Sequence, residues 1–189
     1  MRVTTTQHTA VAPPNPLRSL ASDAAAIADL VRSIDGPVVL VGHSYGGAVI
    51  SQASAVLDNV TGLVYLATNS HPTGYDAPGA PGGPDLYIKK EQFRETFCAD
   101  VPVDVADVMF ATQRPLSLAA LTENATAAGW KTKPSWFLVS EHDNAIPPDT
   151  ERFMAKRMGA TTEQIAGSHT AFIAQPVAVA TFIRRALAA

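Results

Sequence analysis

Val38-Val39-Leu40-Val41 runs without a polar break into Gly42-His43-Ser44-Tyr45-Gly46, and Gly47-Ala48-Val49-Ile50 follows at once. Four aliphatic residues with no polar alternation suit a strand covered on both faces, as in the middle of a parallel sheet. The apolar run behind the motif suits the start of a helix. A Gly-x-Ser-x-Gly held between such a strand and such a helix predicts a sharp turn that presents the serine hydroxyl at the carboxyl end of the sheet. In so tight a turn the residues two places either side of the serine approach one another, so Gly42 and Gly46 are both expected to be required for lack of a side chain. The adjoining helix N-terminus carries partial positive charge, which favours an oxyanion beside Ser44. The Tyr45 N–H is placed to donate to it. A tight turn capped by a serine would explain the three motif residues but not the strand before them and the helix after them.

The surrounding pattern supplies the rest of a sheet. Thr9 to Ala12, stopped by Pro13-Pro14, reads as a short strand. Ser19 to Ile34 carries apolar residues at helical spacing, and Gly46 to Leu57 reads as the next helix. Leu63 to Leu66, Trp136 to Val139 and Thr161 to Ile165 read as further strands, with helices at Thr150 to Met158 and Ala174 to Leu187. Strand and helix alternate, which predicts an α/β fold with a doubly wound, mostly parallel sheet. The alternation is interrupted once. Between Thr68 and Pro84 four prolines and four glycines are too dense for regular structure. Beyond them, Lys89 to Phe97, Val103 to Thr112 and Leu116 to Ala128 read as short helices with no strand between. The expectation is one domain over 1–189 with a small helical lid inserted at about 68–131.

A serine hydroxyl needs a base to take its proton. For a nucleophile on such an elbow the acid and then the base come later in the chain. Of five histidines, His43 lies inside the elbow and is expected to point elsewhere, His8 and His142 are poorly placed, and His71 falls in the insertion. His169, in Ala166-Gly167-Ser168-His169-Thr170 after the last strand, reaches the carboxyl edge and is the expected general base. The acid should follow the Trp136 strand, where Glu141 and Asp143 compete. The Asp-x-x-Ile-Pro spacing favours Asp143 as the group that bonds the second ring nitrogen and fixes the tautomer. Asp149 suits the first turn of the next helix. Tyr87, Phe93, Phe97, Met109 and Phe110 could line a pocket or pack a lid core, and Cys98 reads as buried filler.

Composition narrows the alternatives. A net charge of −3 with scattered basic residues provides no footprint for nucleic acid or for an anionic membrane. No stretch approaches a membrane span, and the start has no apolar run of signal-peptide length. One cysteine cannot form an internal disulfide, so a cytoplasmic protein is expected. No metal-ligand cluster and no dinucleotide fingerprint is visible, so neither metal nor cofactor is expected.

These residues resemble the α/β-hydrolase superfamily, and within it small cofactor-free esterase-like members. The resemblance is carried by Asn15 to Leu20 (Asn-Pro-Leu-x-Ser-Leu), Gly36 to Gly47, Gln113 to Leu116, Ile146-Pro147-Pro148, Arg152-Phe153-Met154 and Ser168-His169, and it spans Ala10 to the C-terminus. It implies acyl transfer from a small, largely apolar ester, thioester or amide, with Ser44, Asp143 and His169 matching the triad. Related folds also host lyase-like chemistry such as cyanohydrin cleavage, and a binding protein without turnover is a third reading. The front end departs from the pattern. The usual His-Gly loop that supplies a second oxyanion donor is missing, since His8 is followed by Thr9. So is a strand between those corresponding to Thr9–Ala12 and Val38–Val41. A later start than the natural frame is the favoured explanation. Direct pairing of the two strands, or another chain filling the gap in a homo-oligomer, would also account for it.

Overall fold

The computed structural model describes residues 2–4, 8–67, 75–76, 79–80 and 83–189, with backbone alone at 2–4, 75–76, 79–80 and 83. In chain order the elements are β1 (Arg2–Thr4), β2 (Thr9–Val11), α1 (Leu20–Arg32), β3 (Val38–His43), α2 (Tyr45–Ala53) and β4 (Val60–Leu66). Then come β5 (Tyr75–Asp76), β6 (Gly79–Ala80), β7 (Gly83–Ile88), α3 (Lys90–Phe97), α4 (Val103–Ala111), β8 (Leu116–Ser117) and α5 (Leu118–Thr122). The chain closes with β9 (Ser135–Ser140), α6 (Pro148–Met158), β10 (Thr161–Ile165), α7 (Ala171–Ala174) and α8 (Pro176–Leu187).

Four strands form a parallel sheet in the order β10-β9-β4-β3. Its alternation explains why the strands lack polar breaks. Leu63, Tyr65, Phe137 and Val139 pack with α1, α2 and α6 on one face, through Ala24, Val31, Val49, Ile50 and Ala155. Val64, Leu66 and Leu138 pack with Val179, Phe182 and Ala186 of α8 on the other. Burying each large side chain of this kind contributes about 1.5–3 kcal/mol. Helix ends follow local chemistry. The Ser19 hydroxyl accepts from Ser22 N–H to start α1, Pro148 opens α6, and Gly159 closes α6 in the left-handed conformation at φ 62°. Pro176 opens α8, which fills most of the helix expected at Ala174 to Leu187, and the short α7 before it is not foreseen in the sequence.

Two expectations need correction. The proline- and glycine-rich stretch is not devoid of regular structure: β5 and β6 pair antiparallel with β7, and β8 joins β7 as well. Short two-residue strands tolerate prolines beside them because few ladder bonds are needed. The expected helix from Leu116 to Ala128 is a two-residue strand followed by the five-residue α5. Strand β2 does not pair with β3; it pairs antiparallel with β1, so among the described residues the outer edge of β3 has no strand partner.

Candidate active site

The turn after β3 holds Ser44 at φ 51° and ψ −125°, in a region that a residue with a side chain rarely adopts. Two backbone bonds pin it: Ser44 N–H donates to Leu66 O at 3.0 Å, and Gly47 N–H donates to Ser44 O at 2.9 Å. The glycine requirement is one-sided. A Cβ at Gly42 would stand 2.5 Å from Gly46 O, whereas a Cβ at Gly46 would meet nothing within 4 Å. Gly42 is the sterically required residue, and Gly46 faces an open cavity. The Ser44 hydroxyl does not cap α2. Tyr45 is the first residue of α2, so its N–H lacks an intrahelical acceptor by position.

The Tyr45 side chain reaches back to α1, where its hydroxyl donates to Asp23 Oδ2 at 2.9 Å. Asp23 is fully buried and also accepts from Arg18 N–H at 3.2 Å. Burial and the Asp23 carboxylate hold the Tyr45 phenol well above its ordinary range, so it stays protonated. This tether between α1 and the elbow was not legible beforehand, because Asp23 reads as an ordinary first-turn acid.

His169 and Asp143 come together from two loops at the carboxyl edge. His169 Nδ1 donates to Asp143 Oδ2 at 2.7 Å, with side-chain exposures of 1% and 0%. The other Asp143 oxygen accepts from Ala145 N–H at 2.7 Å and Ile146 N–H at 2.8 Å, which is what the Asp-x-x-Ile spacing accomplishes. Glu141 is exposed and its backbone N–H belongs to the sheet edge, so it takes no part in this pair. His8 and His142 are exposed, and His71 lies outside the described residues. Asp149 pairs with Arg152 at 2.8 Å in the first turn of α6, as its position suggests.

The His169 loop is braced from the inserted segment. Asp100 accepts from both the backbone N–H (2.9 Å) and the hydroxyl of Ser168, and the Thr170 hydroxyl donates to Phe97 O at 3.1 Å. His43 is a correction. It does not point away from the site; its Nε2 donates to the His169 carbonyl at 2.8 Å, and its ring lies 4.6 Å from the His169 ring. Burial, with His169 nearby, lowers the His43 pKa to about 3, so the ring is neutral and fit for that single donation. Sequence spacing does not reveal a bond 126 positions long.

Glu151, from the first turn of α6, is a second residue missed. It is fully buried, it accepts from Ser140 N–H at 3.1 Å at the end of β9, and burial pushes its carboxyl up to about 9, with Asp143 adding to the rise.

Ser44, Tyr45, Gly46, His43 and His169 open onto one cavity of about 470 Å³. Its other walls are largely apolar: Leu17, Leu86, Ile88, Phe93, Phe97, Met109, Leu116 and Leu121. Of the expected lining residues, Phe93, Phe97 and Met109 face it, Phe110 packs edge-on to Phe93 in a separate small core, and Tyr87 is not among the walls. Cys98 is buried in that core, and burial raises its thiol pKa. Leu17 reaches the cavity from a backbone at φ 62°, and its carbonyl accepts from Ser117 N–H at 3.0 Å. Gln113 bridges to the edge of β7 through both Ile88 N–H (2.9 Å) and Ile88 O (3.1 Å). Among the described residues no three His, Cys, Asp or Glu side chains converge as a metal site, and no helix is long and apolar enough to cross a membrane.

Known proteins share this fold. Alpha/beta hydrolase nvfD of Aspergillus novofumigatus is 28% identical over 142 residues, covering 64% of this chain and 57% of its own length. This chain therefore spans little more than half of that curated relative. In fold, it is similar to a methylesterase, MES16, from Arabidopsis (TM-score 0.79, 18% identity, 92% of this chain and 80% of that one). A pyrethroid hydrolase from Sphingobium faniae JZ-2 shares the fold as well (TM-score 0.70, 20% identity, 88% of this chain and 77% of that one). With the family pattern matched over residues 8–182, nearly the whole length, this chain belongs to the alpha/beta hydrolase family.

Proposed function

We propose that this protein is a serine hydrolase that cleaves small, largely apolar esters, thioesters or amides through Ser44, His169 and Asp143. The observation that carries this reading is the buried 2.7 Å contact between His169 and Asp143, opening onto the same cavity as the strained Ser44. Esterase and hydrolase names among the structural relatives support the reaction class. The apolar walls support a substrate with little charge.

In this reading His169 Nε2 takes the Ser44 proton as Oγ attacks the acyl carbon. Asp143 keeps Nδ1 protonated and stabilises the imidazolium that forms. The carbonyl oxygen becomes an oxyanion beside the α2 N-terminus, with Tyr45 N–H as a donor. The imidazolium then protonates the leaving alcohol, thiol or amine, and the acyl group remains on Ser44. Water, deprotonated by the same His169, attacks the acyl-enzyme and releases the acid. The inserted segment serves as a lid whose Phe97 and Asp100 link substrate enclosure to the His169 loop.

Incubation with a fluorophosphonate tests the reading: covalent labelling at Ser44 supports the hydrolase, and binding without labelling at Ser44 contradicts it. The single, buried cysteine supports a cytoplasmic setting, and the edge of β3 that no strand among the described residues covers supports self-association.

A further inference from the structure

Two stretches of chain that the proposed reaction leaves unused meet along one side of the cavity. One runs from Asn15 to Arg18, just ahead of α1, and the other from Gln113 to Ser117, between α4 and α5. They are laced in both directions. Arg114 Nη1 donates to Asn15 O at 2.8 Å and Ser117 N–H donates to Leu17 O at 3.0 Å, while Arg18 Nη2 donates back to Pro115 O at 3.2 Å. The Gln113 carboxamide, clamped on both backbone groups of Ile88, fixes the second stretch to β7. From this clasp Asn15, Leu17, Gln113, Arg114 and Leu116 all line the cavity onto which Ser44 opens.

Within the clasp the backbone is strained. Leu17 has φ 62°, in the left-handed region that a residue with a Cβ seldom adopts and that glycine enters freely. Among the described residues, the non-glycine residues at positive φ are Leu17, Ser44 and Ala67, and of these Leu17 and Ser44 line the cavity. Strain of this kind persists where surrounding bonds over-determine it, and it gathers at ligand sites. Core packing does not account for the side chain. Leu17 is half-buried, joins none of the hydrophobic cores among the described residues, and faces the cavity.

We propose that Leu17 is a specificity-determining residue, a fixed stop that limits the bulk of the substrate group directed at this wall. The carbonyls of Asn15 and Leu17 are both bound, so the backbone cannot rotate to withdraw the side chain. A leucine on an unbraced loop would yield to a larger ligand, whereas here making room means breaking the bond from Ser117. A small group passes, and a branched or cyclic one meets the isobutyl side chain of Leu17. This role rests on the reading of Ser44 as the nucleophile in this cavity.

The test is the second-order rate of Ser44 labelling by paired fluorophosphonates, methyl against cyclohexyl, placed first on phosphorus and then on the alkoxy oxygen. The native chain, Leu17→Ala and Leu17→Gly are compared, with Ser44→Ala as control and melting temperature followed in parallel. In at least one of the two series the cyclohexyl-to-methyl ratio should rise by about tenfold or more in both variants, the range for a small apolar group gained or lost in a pocket. Leu17→Gly should melt no lower than Leu17→Ala, because glycine takes the left-handed backbone without strain. Ratios unchanged in both series overturn the proposal even if stability falls, since that is packing alone. Leu17→Ala melting above Leu17→Gly overturns the fixed stop, because the clasp would then not hold the left-handed backbone. Labelling that persists in Ser44→Ala, or a native chain that does not label, overturns the reading of the site, and this inference with it. Ser44-specific labelling with unchanged ratios overturns the role of Leu17 only.

Discussion

The two glycines flanking Ser44 look equivalent in the sequence, yet alanine should act on them in opposite directions. At Gly42 the added methyl would lie 2.5 Å from Gly46 O, 2.7 Å from Gly46 C and 2.8 Å from Gly47 N, all backbone atoms that cannot swing aside. Relief requires moving the start of α2 away from β3, an overpacking that costs about 1–3 kcal/mol. For a 189-residue chain this lowers the melting temperature by about 3–8 °C. Moving α2 also displaces Ser44 and the Tyr45 N–H, and an ångström of displacement can cost about 10² in rate. At Gly46 the methyl meets nothing within 4 Å, and the residue is helical. Replacing a helical glycine by alanine gains about 0.4–1 kcal/mol. Gly46→Ala should therefore melt at or above the native temperature, with any loss confined to substrate binding, because it lines the cavity. Thermal unfolding by circular dichroism, with labelling rates on the same samples, reads both effects. Equal destabilisation of the two variants, or Gly46→Ala as the weaker one, would refute the steric argument.

Further outcomes follow from the contacts behind the elbow. Asp143→Asn should depress ester turnover by about four orders of magnitude, while the exposed Glu141→Gln should be nearly silent; steady-state kinetics on a chromogenic ester would transfer the role if the ranking reversed. His43 has its pKa lowered from 6.5 to about 3, so the unfolded chain binds its proton first as pH falls. Stability should fall between those two values with a slope of up to about 1.4 kcal/mol per pH unit from this group. Denaturant titrations of His43→Gln over that window should show the slope reduced, and an unchanged slope would contradict it. Tyr45→Phe leaves the buried Asp23 without its 2.9 Å donor, which should cost about 1–3 kcal/mol in chemical unfolding while Ser44 labelling persists. An unchanged stability would show that the tether is idle.

The parts of the fold read correctly were those in which local pattern and tertiary role coincide. Strands β4 and β9 are continuous apolar runs because both faces are covered, and that leaves a one-dimensional trace, whereas in β3 the same apolar run leaves Val41 42% exposed. Turn chemistry in the sequence favours Asp143 over Glu141, and in the fold Asp143 Oδ1 accepts the two N–H groups that the turn aligns. What escaped was relational. The place of His43 in the motif points it away from the site, but its task depends on a carbonyl that only the folded loop brings within 2.8 Å. Glu151 stands among the first-turn acids of α6, and its full burial has no periodic signature. The short strands β5, β6 and β8 were missed because two-residue ladders need neither alternation nor β-branched residues. The motif is symmetric in sequence, so it gives Gly46 the same steric duty as Gly42, while the turn is not symmetric and leaves Gly46 open space.

Covalent labelling at a single residue tests the central claim most directly. The native chain is incubated with a fluorophosphonate at pH 7.5 to 8, digested, and the adduct is located by mass spectrometry, with Ser44→Ala and His169→Ala alongside. A nucleophile on a strained elbow, served by a base oriented at 2.7 Å by Asp143, should give one adduct on the peptide containing Ser44. Labelling should vanish in Ser44→Ala and slow by several orders of magnitude in His169→Ala. An adduct elsewhere that survives Ser44→Ala, or labelling indifferent to the loss of His169, would contradict the account.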